Sequence, residues 1–155
     1  MRKFEFVKRI SGEDIENTDM HPDFDLPKRS TAKSGGYDFI CPEDTMVAYA
    51  GVTYVRTGVK AYFPDDEILM LCNRSSNPKK KELVLINGVG IVDSDYADNP
   101  DNDGEICFAF KSLNPTGTLI KAGEKLGQGL FIKFGITDND NAEGERISGF
   151  GSTGK

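Results

Sequence analysis

An all-β sandwich, barrel or jelly roll is the fold class this sequence predicts, and three observations carry it. Short runs of β-branched, aromatic and aliphatic residues recur along the chain, turn signals separate them, and long amphipathic helical stretches are missing. The 17 glycines and 7 prolines are spread out and not pooled in a linker, so the 155 residues read as one domain.

The runs come in order as Met46–Ala50, Val52–Phe63, Ile68–Cys72, Leu83–Ile86, Ile106–Phe110 and Leu126–Phe134. Between them lie Pro64-Asp65-Asp66, Asn77-Pro78, Asn99-Pro100-Asp101-Asn102 and Asn114-Pro115-Thr116-Gly117, all turn chemistry. Many short strands with frequent turns must pack sheet on sheet or close on themselves to bury their apolar faces. No internal repeat is evident.

Hydrophobic residues make up 37% of the chain and aromatics 10%, enough for a modest core. No apolar run approaches eighteen residues, so no transmembrane helix is expected. The first residues, Met1-Arg2-Lys3-Phe4-Glu5-Phe6, alternate charge with aromatic and lack the apolar stretch of a signal peptide. Net charge is -6, which disfavours general binding to nucleic acid or an anionic membrane. It does not exclude an anionic small substrate, because a cation and a few placed arginines reverse the field locally.

Cys41, Cys72 and Cys107 are odd in number and lack a C-x-x-C pairing, which predicts buried free thiols in a reducing cytoplasm. His21 is the single histidine. That removes Ser-His-Asp and Cys-His catalysis and multi-histidine metal sites. Hydrolysis by this chain therefore rests on carboxylates and an oxygen-liganded cation such as Mg2+.

The stretch Asp93–Asp103 is dense in Asp and Asn, and most of it reads as a solvated loop. Asp93 differs, because it directly follows the apolar run Val89–Val92 and so stands at a strand end. Lys79-Lys80-Lys81 reads as a solvated turn face, with phosphate steering as the alternative. Gly149–Lys155 contains G-x-x-x-x-G-K, but the Ser or Thr and the helix that a P-loop needs do not follow it, so that reading is rejected.

Five separated segments resemble, in order, the five motifs of the trimeric dUTPase family. Ser34-Gly35-Gly36-Tyr37-Asp38-Phe39 is similar to A-G-Y-D-L, and Asn73-Arg74-Ser75-Ser76 to R-S-S. Asn87-Gly88-Val89-Gly90-Ile91-Val92-Asp93-Ser94-Asp95-Tyr96 resembles N-x-x-G-x-I-D-x-D-Y. Ala122–Phe131 is similar to G-D-R-I-A-Q-x-x-F, and Arg146–Gly154 to R-x-G-G-F-G-S-T-G. Five motifs in order make coincidence a poor account.

The resemblance implies a distorted jelly-roll or β-barrel subunit forming a homotrimer with shared active sites. Motifs one, two and four come from one subunit, motif three from a second and motif five from a third. Residues 144–155 are implied to be a mobile Gly-rich tail that closes over a neighbour's site. The implied reaction is Mg2+-dependent hydrolysis of dUTP to dUMP and pyrophosphate, which limits uracil in DNA and supplies dUMP for dTMP synthesis.

The implied roles follow the motifs. Asp93 is the catalytic base that draws a proton from the attacking water. Asp38 orders Mg2+ through its water shell, the ion itself resting mainly on the phosphates. Arg74 and Arg146 offer planar forks to phosphate oxygens, and Ser75, Ser76 and Gln128 add neutral hydrogen bonds. Asn87 and the adjoining backbone at Gly90 and Val92 read the uracil edge. Tyr96 packs under the deoxyribose and leaves no room for a 2′-hydroxyl. Phe150 covers the uracil, and Gly151, Ser152 and Thr153 close over the phosphates.

Seven residues, Ala97–Asp103, stand where many family members have one. This enlarged loop either flanks the site mouth or serves a regulatory protein partner. Gly127 replaces a common Ala, Glu124-Lys125 a common Asp-Arg, and Ser148 a common Gly. Two rival readings stay in view. A dCTP deaminase, related in fold, is similar at R-S-S but resembles this chain poorly where its catalytic Glu falls on Ala109 and its second Arg on Lys79. A regulatory or binding protein on the same scaffold is expected to lose Asp93 or Arg146, and both are present.

Overall fold

The computed structural model describes residues 1–11, 21–144 and 146. Eleven strands dominate: β1 (Lys3–Phe6), β2 (Tyr37–Ile40), β3 (Thr45–Val47), β4 (Thr53–Arg56), β5 (Val59–Tyr62), β6 (Glu67–Asn73), β7 (Leu83–Leu85), β8 (Gly90–Val92), β9 (Cys107–Ser112), β10 (Thr118–Ile120) and β11 (Lys125–Lys133). Two short helices, α1 (Lys8–Ser11) and α2 (Ser76–Lys80), and a 3-10 turn at Ser94–Tyr96 complete the described elements. The all-β class expected from the sequence is the one observed. None of the described helices is long and apolar enough to cross a membrane.

Among the described residues all ladders are antiparallel and form four sheets, ordered β2-β11-β6-β8, β4-β9-β7, β1-β5 and β10-β3. Their inner faces share one core built on Phe39, Val47, Val55, Leu69, Leu83, Phe108, Phe110, Ile120 and Leu126. Phe108 stacks on Phe110 with centroids 5.8 Å apart and meets Phe39 edge-on at 5.4 Å. Each such side chain removed from water contributes about 1.5–3 kcal/mol. Gly127 exists for this packing, because a Cβ there would lie 2.2 Å from the Phe108 ring. The departure from Ala at this position therefore follows the ring beside it.

Two expectations need correction. The run Val52–Phe63 is two strands, since Thr57-Gly58 breaks it. Gly58 takes φ +71°, and its N–H donates to the Glu105 carboxylate at 2.7 Å. Glu105, almost fully buried, also receives forked hydrogen bonds from Arg9 and Arg56. The second correction concerns the thiols: all three are free, but only Cys41 is fully buried, with Cys72 and Cys107 partly exposed.

Candidate active site

The site residues fall into two groups on opposite edges of the four-stranded sheet. β8 forms one edge, pairing Val92 with Leu69 and Gly90 with Leu71 of β6. Asp93 follows at its end and starts the 3-10 turn, with the Tyr96 N–H donating to the Asp93 carbonyl at 3.1 Å. The Asp93 carboxylate is half exposed. Beside it a cavity of about 370 Å³ is lined by Tyr54, Ile86, Asn87, Gly90, Val92, Tyr96, Ile106, Cys107, Ala109 and Arg146. That volume suits a small ligand such as a nucleoside.

The local sequence explains this shape. Gly88 takes φ +73°, which turns the chain between β7 and β8 and presents Asn87 to solvent. A Cβ on Gly90 would press within 3.1 Å of Leu71, so glycine brings the backbone close to the sheet. Burial and the nearby Glu105 push the Cys107 thiol up to about 11, so it lines the cavity as a neutral group and not as a nucleophile. Ala109 puts a methyl group where a deaminase-like enzyme would need a carboxylate.

Arg146 lies against its own chain. Its Nη2 donates to Asp93 Oδ2 at 2.5 Å, its Nε to Asp95 Oδ1 at 2.7 Å, and its Cζ is 5.8 Å from the Tyr96 ring centroid. The pairing with Asp95, followed by Asp93, raises the guanidinium pKa further. The sequence resemblance assigns this arginine to a neighbouring subunit's site. Within one chain, the two carboxylates two residues apart on the 3-10 turn match its fork, and Asp95 gains a partner that sequence reading did not give it. Phe150, Gly151, Ser152 and Thr153 lie outside the described residues, as does all of the 144–155 tail except Gly144 and Arg146.

The second group gathers around β2 at the other edge. Asp38 pairs across β11 with Gln128, which in turn faces Cys72 of β6. The Asp38 Oδ2 accepts hydrogen bonds from Lys125 Nζ at 2.6 Å and Ser30 Oγ at 2.7 Å, and Oδ1 lies 3.7 Å from Arg74 Nε. Partial burial pushes this carboxyl up, but Lys125 and Ser30 outweigh it and hold it below the usual range. Gln128 Nε2 donates to the Asn73 carbonyl at 3.4 Å, and Gly36 lies so close that a Cβ there would meet the Gln128 amide.

Sequence reading missed the supports of this group. Asn73 Oδ1 accepts the Arg74 N–H at 2.9 Å and the Asn77 Nδ2 at 2.8 Å, while Asn77 also donates to the Leu126 carbonyl at 2.7 Å. These amides hold the Arg74-Ser75-Ser76 turn that opens α2, with Ser75 exposed at its N-cap. Asn77 preceding Pro78 reads as a turn signal, and nothing in that pattern marks it as buried. Lys79 and Lys80 are exposed, and Lys81 pairs with Glu124 at 2.9 Å, which accords with a solvated turn face.

The register separates the two carboxylates. Asp93 stands three strand spacings and four residues along from Asp38, roughly 20 Å at ordinary sheet dimensions.

Comparison with known proteins adds a family to this geometry. The dUTPase family profile matches residues 22–154. A deoxyuridine 5'-triphosphate nucleotidohydrolase of Lactococcus lactis is 40% identical over 148 residues, covering 94% of this chain and 99% of that protein. One from Escherichia coli O9:H4 is 28% identical over 141 residues, 86% of this chain and 89% of the relative. The crystal structure of a dUTPase from Streptococcus mutans superposes with a TM-score of 0.77 at 40% identity, over 88% of this chain and 98% of that one. The dUTPase of Staphylococcus aureus phage phi11 shares the fold at 15% identity, with a TM-score of 0.66 over 93% of this chain and 97% of its own. The family profile over residues 22–154 and the 40% identical relative agree: the chain belongs to the dUTPase family.

Proposed function

We propose that this chain hydrolyses dUTP to dUMP and pyrophosphate as a homotrimer in the cytoplasm, with Mg2+ on the substrate's phosphates. Membership of the family carries the reaction. The observation that carries the shared site is the separation of Asp93 from Asp38. A general base must lie within hydrogen-bond reach of its water, or one water away. A phosphate-binding group roughly 20 Å distant on the same chain cannot serve the same phosphorus. Bringing Asp93 of one copy to Asp38, Arg74 and Gln128 of another resolves this. Exposed Tyr54, Ile86, Val89 and Ile91 around the Asp93 cavity supply an apolar rim for such contact. Free thiols accord with a reducing compartment.

In this reading the nucleoside enters the cavity beside Asp93. Asn87 and the backbone at Gly90 and Val92 meet the uracil edge, and the Tyr96 ring meets the sugar. Asp93 takes a proton from a water as its oxygen bonds to the α-phosphorus and the bridging P–O bond to pyrophosphate breaks. Arg74, Ser75, Ser76 and Gln128 orient the phosphates, and Arg146 exchanges its carboxylate partners for phosphate oxygens. Phe150, Gly151, Ser152 and Thr153 close the site by resemblance alone.

The donor set suits a hydrated cation. Asp38 stays ionised but is already bonded by Lys125 and Ser30, and no cluster of three acidic, His or Cys ligands occurs among the described residues. Asp38 would therefore hold Mg2+ through a water, and the ion would supply positive charge beside the phosphates.

A regulatory partner on the 97–103 loop is a second reading, with Asp98, Pro100 and Asp101 as its exposed members. Pyrophosphate release from dUTP, dTTP, dCTP and UTP, with and without Mg2+, tests the main reading. Strong preference for dUTP with Mg2+ is expected. Equal turnover of all four would defeat it, and ammonia release from dCTP would favour the deaminase.

A further inference from the structure

The loop Ala97–Asp103 is not the solvated segment its composition suggests. Asn99 is almost fully buried, its Oδ1 accepts the Asp101 N–H at 2.9 Å, and its carbonyl accepts the Asp103 N–H at 2.7 Å. Asp98 and Asp103 both take φ +58°, a left-handed conformation that Asp tolerates better than most residues. Gly104 takes φ +74°, and a Cβ there would lie 2.6 Å from the Tyr96 carbonyl oxygen. The dense Asp, Asn and Gly of this stretch therefore encode a specific fold.

That fold is bolted to its own chain. Asp98 accepts hydrogen bonds from Lys60 Nζ and from Tyr62 Oη, the latter at 2.8 Å. Asp103 accepts one from Lys60 Nζ at 3.0 Å and one from the Lys8 N–H at 2.7 Å. Lys60 is buried by this arrangement, with 7% of its side chain exposed. Burying a lysine is costly without carboxylate partners, so the two aspartates and the lysine hold each other in place.

One side chain of the loop points at the site. Asn102 Nδ2 donates to Tyr96 Oη at 2.6 Å, and Oη lies 3.3 Å from the Glu105 carbonyl that accepts its proton. Asn102 is itself fixed, since its Oδ1 accepts the Gly104 N–H at 3.0 Å and its N–H donates to the Asn99 carbonyl at 3.3 Å. The Tyr96 ring lines the cavity next to Asp93. Its tip is thus clamped by two groups that do not line the cavity.

We infer that Asn102 is a positioning residue, supplied by the enlarged loop, which fixes the Tyr96 ring and so sharpens selection for deoxyribose over ribose. The inference rests on the hydrolase reading above and on Tyr96 meeting the sugar. Excluding a hydroxyl is a matter of tenths of an ångström, and a ring free to tilt about its χ1 and χ2 bonds yields that space. The clamp holds it without occupying the cavity.

The test compares kcat and KM for dUTP and UTP in the full-length chain, in Asn102→Ala, in Tyr96→Phe and in the double variant. Tyr96→Phe keeps the ring and removes only the clamped hydroxyl. Each single change is expected to lower the dUTP to UTP ratio of kcat/KM by about 3- to 10-fold, the reach of one hydrogen bond. The double variant is expected to lose no more than Tyr96→Phe, because that change already removes the Asn102 contact along with the bond to the Glu105 carbonyl. If Asn102→Ala does not fold, Asn102→Ser, a polar side chain too short to reach Tyr96 Oη, takes its place. An unchanged ratio in the variants, or additive losses in the double, overturns the inference while dUTP hydrolysis stands. Failure of the unaltered chain to hydrolyse dUTP brings down the hydrolase reading instead.

Discussion

Asp38 and Asp93 are carboxylates on opposite edges of one sheet, and they are held in opposite ways. Asp38 is mostly covered and is bonded by Lys125 and Ser30, with Arg74 beside it. Asp93 is half exposed, and its partner is a single arginine from near the chain's end. The difference teaches what each task requires. On the proposed roles, a group that orders a hydrated cation works through fixed charge, so rigidity serves it. A group that takes a proton must meet water and must release any cation that covers it.

Four changes break or sharpen this contrast. Asp93→Asn carries the largest expected effect: a fall in kcat of about 10²–10⁴-fold, with dUTP still bound in a calorimetric titration. Loss of binding in step with turnover would mean that Asp93 holds substrate and is not the base. Next, Asp93→Asn and Asp38→Asn chains, each nearly inactive alone, should complement when co-expressed. Random assortment into three-fold rings pairs an intact Asp93 with an intact Asp38 of a neighbour in about a quarter of sites. No recovery in the mixed sample would place both carboxylates' work within one chain.

The third change concerns Glu105, whose backbone carbonyl accepts the Tyr96 hydroxyl and whose buried carboxylate is bonded by Arg9, Arg56 and the Gly58 N–H. Burial pushes its carboxyl up, but Arg9, the Gly58 N–H and Arg56 outweigh this and hold it below the usual range. Its stabilising contribution is therefore complete above the unfolded value of about 4.3 and is lost as pH falls below that. Glu105→Gln should destabilise the protein by about 3–5 kcal/mol at neutral pH and flatten its acid sensitivity below the unfolded carboxylate value, read by thermal melting from neutral pH down to about pH 2. An unaltered pH slope would detach the ion pairs from stability. The smallest effect belongs to Gly127→Ala on β11, next to Gln128. Overpacking against Phe108 should cost about 1–3 kcal/mol in urea unfolding. A neutral or stabilising result would show that the ring yields.

The sequence was legible where pattern and burial agree. The run Ile68–Cys72 lies within β6 and Leu126–Phe134 nearly coincides with β11, because strand periodicity and apolar content mark both. Val52–Phe63 was not divisible by eye, since one glycine inside an apolar run does not announce that its N–H is spoken for by a distant glutamate. β1 alternates charge with aromatic, a strand pattern that also reads as an exposed terminus. Resemblance supplied the site residues, but not their supports. Asn73, Asn77 and Asn102 have the composition of a loop, and Lys60 and Glu105 carry charges that patterning sends to the surface. Their placement depends on partners 6 to 96 residues away or on neighbouring backbone groups, and no local window contains those.

The placement of two necessary groups on opposite sheet edges has a consequence for how the protein behaves when scarce. An enzyme whose whole site lies in one chain keeps its activity per molecule at any dilution. On the proposed shared site, a single subunit owns only half of the chemistry. Specific activity is then expected to obey mass action, falling with protein concentration below the assembly's dissociation constant and rising again when substrate bridges the copies.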